Sequence, residues 1–161
     1  MSAPQPPFAA RLADLPPPGE ADRDTLARTL WGEARGEGVP GMAAVAAVIV
    51  NRMRASGRRV ALGQKPLWWG GPDAVSVCRA PWQFSCWNRD DPNRARLLAM
   101  VPDDAALRPA RLIADAALDG RAGDPTAGAD HYHARGVRPA WARGRRPLVA
   151  IGRHHFYRIG P

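Results

Sequence analysis

Apolar residues recur with a helical beat through the first third of the chain. Leu26, Ala27, Leu30, Trp31 and Ala34 fall at i, i+1, i+4, i+5 and i+8. That spacing predicts a helix over about 25–36 with Asp24 as its N-cap. Gly36 and Gly38 interrupt the pattern, and "VPG" leads into a second helix over about 41–54. There "GMAAVAAVIV" is apolar on nearly every side, around Met42, Val45, Ile49 and Met53. The run falls short of the about 18 residues needed to span a bilayer and ends in "NRMR", so it reads as a buried helix. A Gly- and Pro-bearing loop over about 57–75, including "LWWGGP", leads to a short hairpin predicted around "VSVCRAPWQFSCW". "DPNRARLLAM" and a stretch over about 104–118 read as two more helices, the last ended by Gly120. The tail alternates apolar residues with turn formers, as loops and short strands do. The pattern describes a mostly helical α+β single domain with a small antiparallel sheet or hairpin. A Pro-rich, flexible lead-in over 1–21 precedes it.

Composition adds a charge to this picture. The chain of 161 residues carries a net charge of +8, from 22 arginines and the single Lys65 against 15 acidic residues. Such a balance favours polyanionic partners, whether nucleic acid, an acidic surface or a carboxylate-bearing wall, and does not choose among them. No apolar stretch spans a membrane, and no basic n-region followed by an apolar core marks a signal peptide. Cys78 and Cys86 lie at the ends of the predicted hairpin. They are a candidate disulfide, which would suit an extracytoplasmic setting, or two half-buried thiols.

Glu33 and Glu37 are two of only three glutamates. Seven residues after Leu26, Glu33 returns to within roughly 20° of it on the helix, at the edge of the apolar stripe. Partial desolvation there favours the protonated carboxyl, the state a general acid needs. Gly32 and Gly36 leave room for a ligand. The alternative is a surface carboxylate paired with arginine.

From Trp31 to Arg52, "WGEARGEGVPGMAAVAAVIVNR" resembles the signature of the SleB/CwlJ-type cell-wall hydrolases. "PWQFSCW", "GADHYHARGVRPAW" and "IGRHHFY" are similar to that family's later segments, so the likeness runs over about 24–158 in four ordered pieces. The resemblance implies a compact lysozyme-like catalytic domain over 22–161 that cleaves peptidoglycan glycan strands; no cofactor or metal is expected, and a monomer is. It matches Glu33 to the catalytic glutamate and Glu37 to a structural or substrate-positioning one. Gln83 and Ser85 are then candidates for hydrogen bonds to the sugar, with Phe84, Trp87, Tyr132 and Trp141 as stacking candidates and His133 beside them. Trp68 and Trp69 suit a lid. Apart from Glu37 the chain offers only aspartates in apparent turns, which favours a lytic transglycosylase over a hydrolytic muramidase. Without a signal-peptide pattern, a phage-encoded or particle-associated lysis protein, or a wall enzyme exported by another route, is expected.

Two rivals follow from other residues. His131, His133 and His154 would suit a zinc amidase or endopeptidase acting on the wall peptide. "ARGRRP" and "RIGP" would suit a basic polyanion-binding module, although no motif for a specific nucleic acid is present.

Overall fold

The computed structural model describes residues 15–161. Most of the Pro-rich segment lies outside the described residues, whose first helix is α1, Glu20–Ala34. The helix starts before Asp24, which instead pairs with Arg28 one turn on, at 2.8 Å. Gly19 occupies the N-cap, and its N–H donates to the Asp22 carboxylate. Helix α1 gives way to a single 3-10 turn, Arg35–Glu37, and α2 then runs through Gly38–Ala61. It continues well past Arg54 because Ser56 and Gly57 are small enough for neighbouring segments to lie on them, the following loop on Ser56 and Leu15 on Gly57. The Ser56 hydroxyl donates to the Gly70 carbonyl at 2.6 Å, and a Cβ on Gly57 would meet Leu15 at 2.6 Å.

The all-round apolarity of α2 has a simple cause. Val45, Ala46, Ile49, Val50 and Met53 pack into a helical core with Leu26 and Leu30 of α1 and with Ala110 and Ala114 of helix α5, Arg108–Leu118. Ala44 and Val48, one turn apart on the other side, pack against Phe156, Tyr132, Val149 and Ile151 of a sheet. A helix buried on two sides has no polar face to show.

That sheet has the order β1 (His131–Ala134), β3 (His154–Tyr157), β2 (Val149–Ile151), all antiparallel. Tyr132 pairs with Phe156, and Ala134 and Ile151 with His154, so these residues share the face toward α2. His131, His133, His155 and Tyr157 alternate onto the outer face. Among the described residues the strands come entirely from the tail, and the fold is α+β as predicted.

The expected hairpin at residues 75–87 does not form. Asp73 caps helix α3, Ala74–Arg79, by accepting from the Ser76 N–H at 2.8 Å and its hydroxyl at 2.6 Å. A turn and a 3-10 segment, Ser85–Trp87, follow. Cys78 and Cys86 therefore do not face each other across paired strands, and both are buried free thiols. Burial pushes the Cys78 thiol up to about 12. "DPNRARLLAM" yields only a short helix, α4, Arg94–Ala99. The next helix starts as a 3-10 turn, Ala105–Leu107, before α5. Among the described residues no helix is long and apolar enough to cross a membrane.

Candidate active site

Glu33 lies in the last turn of α1, half-buried, where three elements converge. Its Oε1 accepts the Cys86 N–H at 3.0 Å, with the Ser85 hydroxyl at 3.5 Å. Its Oε2 accepts the Tyr132 hydroxyl at 3.2 Å. The 3-10 segment reaches the carboxylate because α1 has a glycine where they touch: a Cβ on Gly32 would stand 2.5 Å from that of Cys86. Tyr132 arrives from β1, on the sheet face turned toward α2. Burial, reinforced by the charge of Glu33, holds its phenol well above the ordinary value, so it remains an O–H donor. Burial, with Glu33 again adding to it, likewise raises the Cys86 thiol.

Glu33 opens into a cleft of about 450 Å³ lined also by Arg35, Glu37, Asn93, Arg135, Arg153 and His154. Among the described residues Glu33 and Glu37 are the only carboxylates in its wall, and their situations differ. Both oxygens of Glu37 are taken by Arg153, through its backbone N–H at 2.9 Å and its Nε at 2.9 Å. These bonds, the backbone one foremost, lower its pKa and keep it ionised. Gly152, with φ of +56°, sits so close that any Cβ would collide with the Glu37 carboxylate. Glu37 thus clamps the β2–β3 turn onto the α1–α2 elbow. Glu37→Gln keeps an acceptor for the Arg153 N–H but loses the ion pair. It is expected to lower the melting temperature and to hold any activity within about tenfold of wild type, because an exposed ion pair is worth little and the cleft stays open. Thermal unfolding and turnover of the same preparation check both halves of that statement.

His154 is buried in the cleft, its Nδ1 without a hydrogen-bond partner among the described residues. Burial lowers its pKa, against the pull of Glu37 and Glu33, so the folded protein holds it neutral. The unfolded chain takes up this proton near about pH 6.5. Stability from this group is therefore present above that pH and lost as pH falls toward the depressed folded value. Melting temperature should decline between about pH 7 and 5, and less steeply in His154→Gln.

Of the other residues singled out from the sequence, Ser85 and Tyr132 reach Glu33. Gln83 instead accepts from Arg52 at 3.1 Å, and Phe84 is core, 2% exposed, beneath the same guanidinium. The Trp87 indole N–H donates to Thr29 at 3.0 Å, with Arg79 over its ring. His133 and Trp141 lie on the outer face of the sheet, where Trp141 packs edge-on against His131, His133 and Tyr157. Trp69 is wholly buried, its N–H donating to the Arg52 carbonyl, while Trp68 is exposed; the two do not form a lid. Sequence reasoning missed the Cys86 N–H, which carries no side-chain signal. It also missed Arg153, and it gave His154 a metal-ligand role rather than a place in this cleft, although "IGRHHFY" held both.

The zinc arrangement is dismantled by the pleat: His131 and His133 point outward, while His154 points toward α2. His131 is engaged by Asp130 at 2.7 Å and His133 by Tyr157 at 2.9 Å. Among the described residues no three His, Cys, Asp or Glu side chains are grouped to hold a metal.

Comparison with known proteins bears on this geometry. The sequence profile of a family described as Cell Wall Hydrolase matches residues 36–157, beginning just after Glu33. A spore cortex-lytic enzyme of Halalkalibacterium halodurans is 33% identical over 144 residues, covering 87% of this chain and 36% of that protein. The chain thus spans about a third of that relative's length. The crystal structure of the catalytic domain of the Bacillus cereus SleB protein is similar, with TM-score 0.64 and 25% identity, over 89% of this chain and 95% of that one. The catalytic domain of the germination-specific lytic transglycosylase SleB from Bacillus anthracis shares the fold, with TM-score 0.62 and 24% identity, over 86% and 94% of the two chains.

Proposed function

The chain belongs to the Cell Wall Hydrolase family, and from that premise we propose that it cleaves peptidoglycan at the β-1,4 bond between N-acetylmuramic acid and N-acetylglucosamine, as a lytic transglycosylase acting through Glu33. The observation that carries the reading is the asymmetry of the two carboxylates. Glu37 is neutralised by Arg153, whereas Glu33 faces the cleft with no arginine paired to it among the described residues.

A glycosidase that uses water ordinarily needs a second carboxylate across the scissile bond. With one carboxylate at hand, the proton must be given and recovered by the same group. Glu33 donates its proton to the glycosidic oxygen as the bond to the muramic C1 breaks. The Cys86 N–H and Tyr132 O–H then stabilise the carboxylate left behind, as charge-assisted bonds. As the muramic 6-hydroxyl oxygen bonds to C1, Glu33 takes up its proton. A 1,6-anhydro sugar results, no water is consumed, and Glu33 is protonated again.

The neutral His154 and the Arg35–Asn93 pair, joined at 3.1 Å, form the walls along which the sugar would lie. Action on the cell wall, peptidoglycan strands as the partner, and a monomeric working form belong to the same proposal. Digestion of purified sacculi tests it. Soluble fragments ending in amino sugars are expected; free peptides released from intact glycan would overturn it.

A further inference from the structure

The net positive charge is not spread over the molecule. Residues 131–161 hold seven arginines and no acidic residue, whereas the preceding 130 hold 16 basic side chains against 15 acidic ones. Seven of the eight net charges therefore sit on the sheet and its loops. In the helical part basic and acidic residues nearly balance in number, and four arginines are paired directly: Arg23 with Asp115 and Asp119, Arg28 with Asp24, Arg111 with Glu20 and Asp115, and Arg121 with Asp119. Among the described residues only Arg153 of the last seven has an acidic partner, Glu37. Like charges gathered without counter-charges destabilise a fold through repulsion unless something anionic answers them.

These arginines also surround a cavity. A pocket of about 470 Å³ opens on the outer face of the sheet, floored by His133, His155 and Tyr157 and rimmed by Arg135, Arg138 and Arg143. Arg135 lines this pocket and the Glu33 cleft alike. The two cavities thus meet around the end of β1, one on each face of the sheet. A ligand entering both must be a polymer or branch with a neutral sugar part at Glu33 and an anionic part at the arginines.

We infer that the Arg135–Arg138–Arg143 pocket receives the carboxylate-bearing stem peptide of the muramic residue held at Glu33, so that the enzyme prefers peptide-bearing to peptide-free glycan. This rests on the function proposed above. The muramic residue carries its peptide on a lactyl ether, and three to five extended residues reach roughly 10–17 Å. The peptide's free carboxylates match guanidinium forks in chemistry and charge.

The test uses one glycan preparation in two states, with stem peptides intact and with them removed by an amidase. The wild-type protein should show a KM about tenfold lower on the peptide-bearing strand, the scale of two or three exposed charge pairs, with similar kcat. That preference should vanish in Arg138→Gln/Arg143→Gln and at about 1 M salt, where the screening length is about 3 Å. The corresponding double lysine variant should keep most of it. Equal KM on both strands, or a preference that survives the double glutamine change, overturns the inference and leaves the function intact. Stronger competition by a phosphodiester polymer than by free stem peptides also overturns it. Failure to cleave either strand removes the proposed function itself.

Discussion

Glu33→Gln is expected to cut the rate of glycan cleavage by about 10³-fold or more while leaving the melting temperature nearly unchanged. General acid catalysis by a placed side chain contributes about 10²–10⁴-fold, and in the proposed reaction one group serves in both proton transfers. The substitution is close to isosteric, and its hydrogen bonds can be remade. The amide oxygen still accepts the Cys86 N–H, and the amide nitrogen donates to the Tyr132 oxygen where the carboxylate had accepted. A fold-preserving loss is therefore the signature of chemistry at this position. Release of soluble fragments from sacculi, alongside a thermal melt, measures both. Activity within tenfold of wild type would move the acid elsewhere.

Arg52→Met should destabilise the protein by about 3 kcal/mol, the cost of stranding buried polar partners. For a domain of this size that lowers the melting temperature by roughly 6–12 °C. Arg52 is 4% exposed, yet its Nε donates to the Asp130 carbonyl at 2.6 Å and its Nη1 to Gln83. Its guanidinium lies over both Trp69 and Phe84. Burial lowers its pKa to about 10, still charged at neutral pH. It ties α2 to the residue before β1 and to the segment that carries Ser85 and Cys86. The same change should therefore reduce turnover as well, by loosening two of the groups that hold Glu33. Thermal unfolding and fragment release separate the two effects; a melting temperature within about 2 °C of wild type would mean that Arg52 is not a structural hub.

The helical half of the fold was legible because burial repeats with the period of the helix. The run around Val45 and Ile49 announced an element covered on two sides, although not what covered it. The hairpin was misread because "VSVCR" alternates as a strand does, while the stronger local signal, Asp73 three residues before Ser76, is a helix cap. Helix α2 outran its predicted end because Gly57 was taken for a loop, when its missing side chain serves a close packing contact.

At the site, the sequence pointed to Glu33 and to the two residues that share its hydrogen bonds, Ser85 and Tyr132. The resemblance put Glu33 ahead of Glu37 as the acid, but spacing alone gave no physical reason for that ranking. That ranking depends on Arg153, which lies 116 positions beyond Glu37 and meets it only because β3 turns back onto the elbow. The aromatic candidates divided by which way a strand or loop residue faces. Tyr132 and His133 are adjacent, yet one reaches Glu33 and the other the outer pocket. Spacing along a strand says that neighbours diverge, and only the packed helix says which face holds the cleft.

The central claim is that Glu33 works alone, giving and reclaiming one proton without water as the nucleophile. Digestion of purified glycan strands in water enriched in heavy oxygen tests it most directly, with the new sugar ends examined by mass spectrometry. The account predicts 1,6-anhydro ends free of solvent oxygen. Reducing ends that carry one heavy oxygen would contradict it and require a water nucleophile activated by a second group.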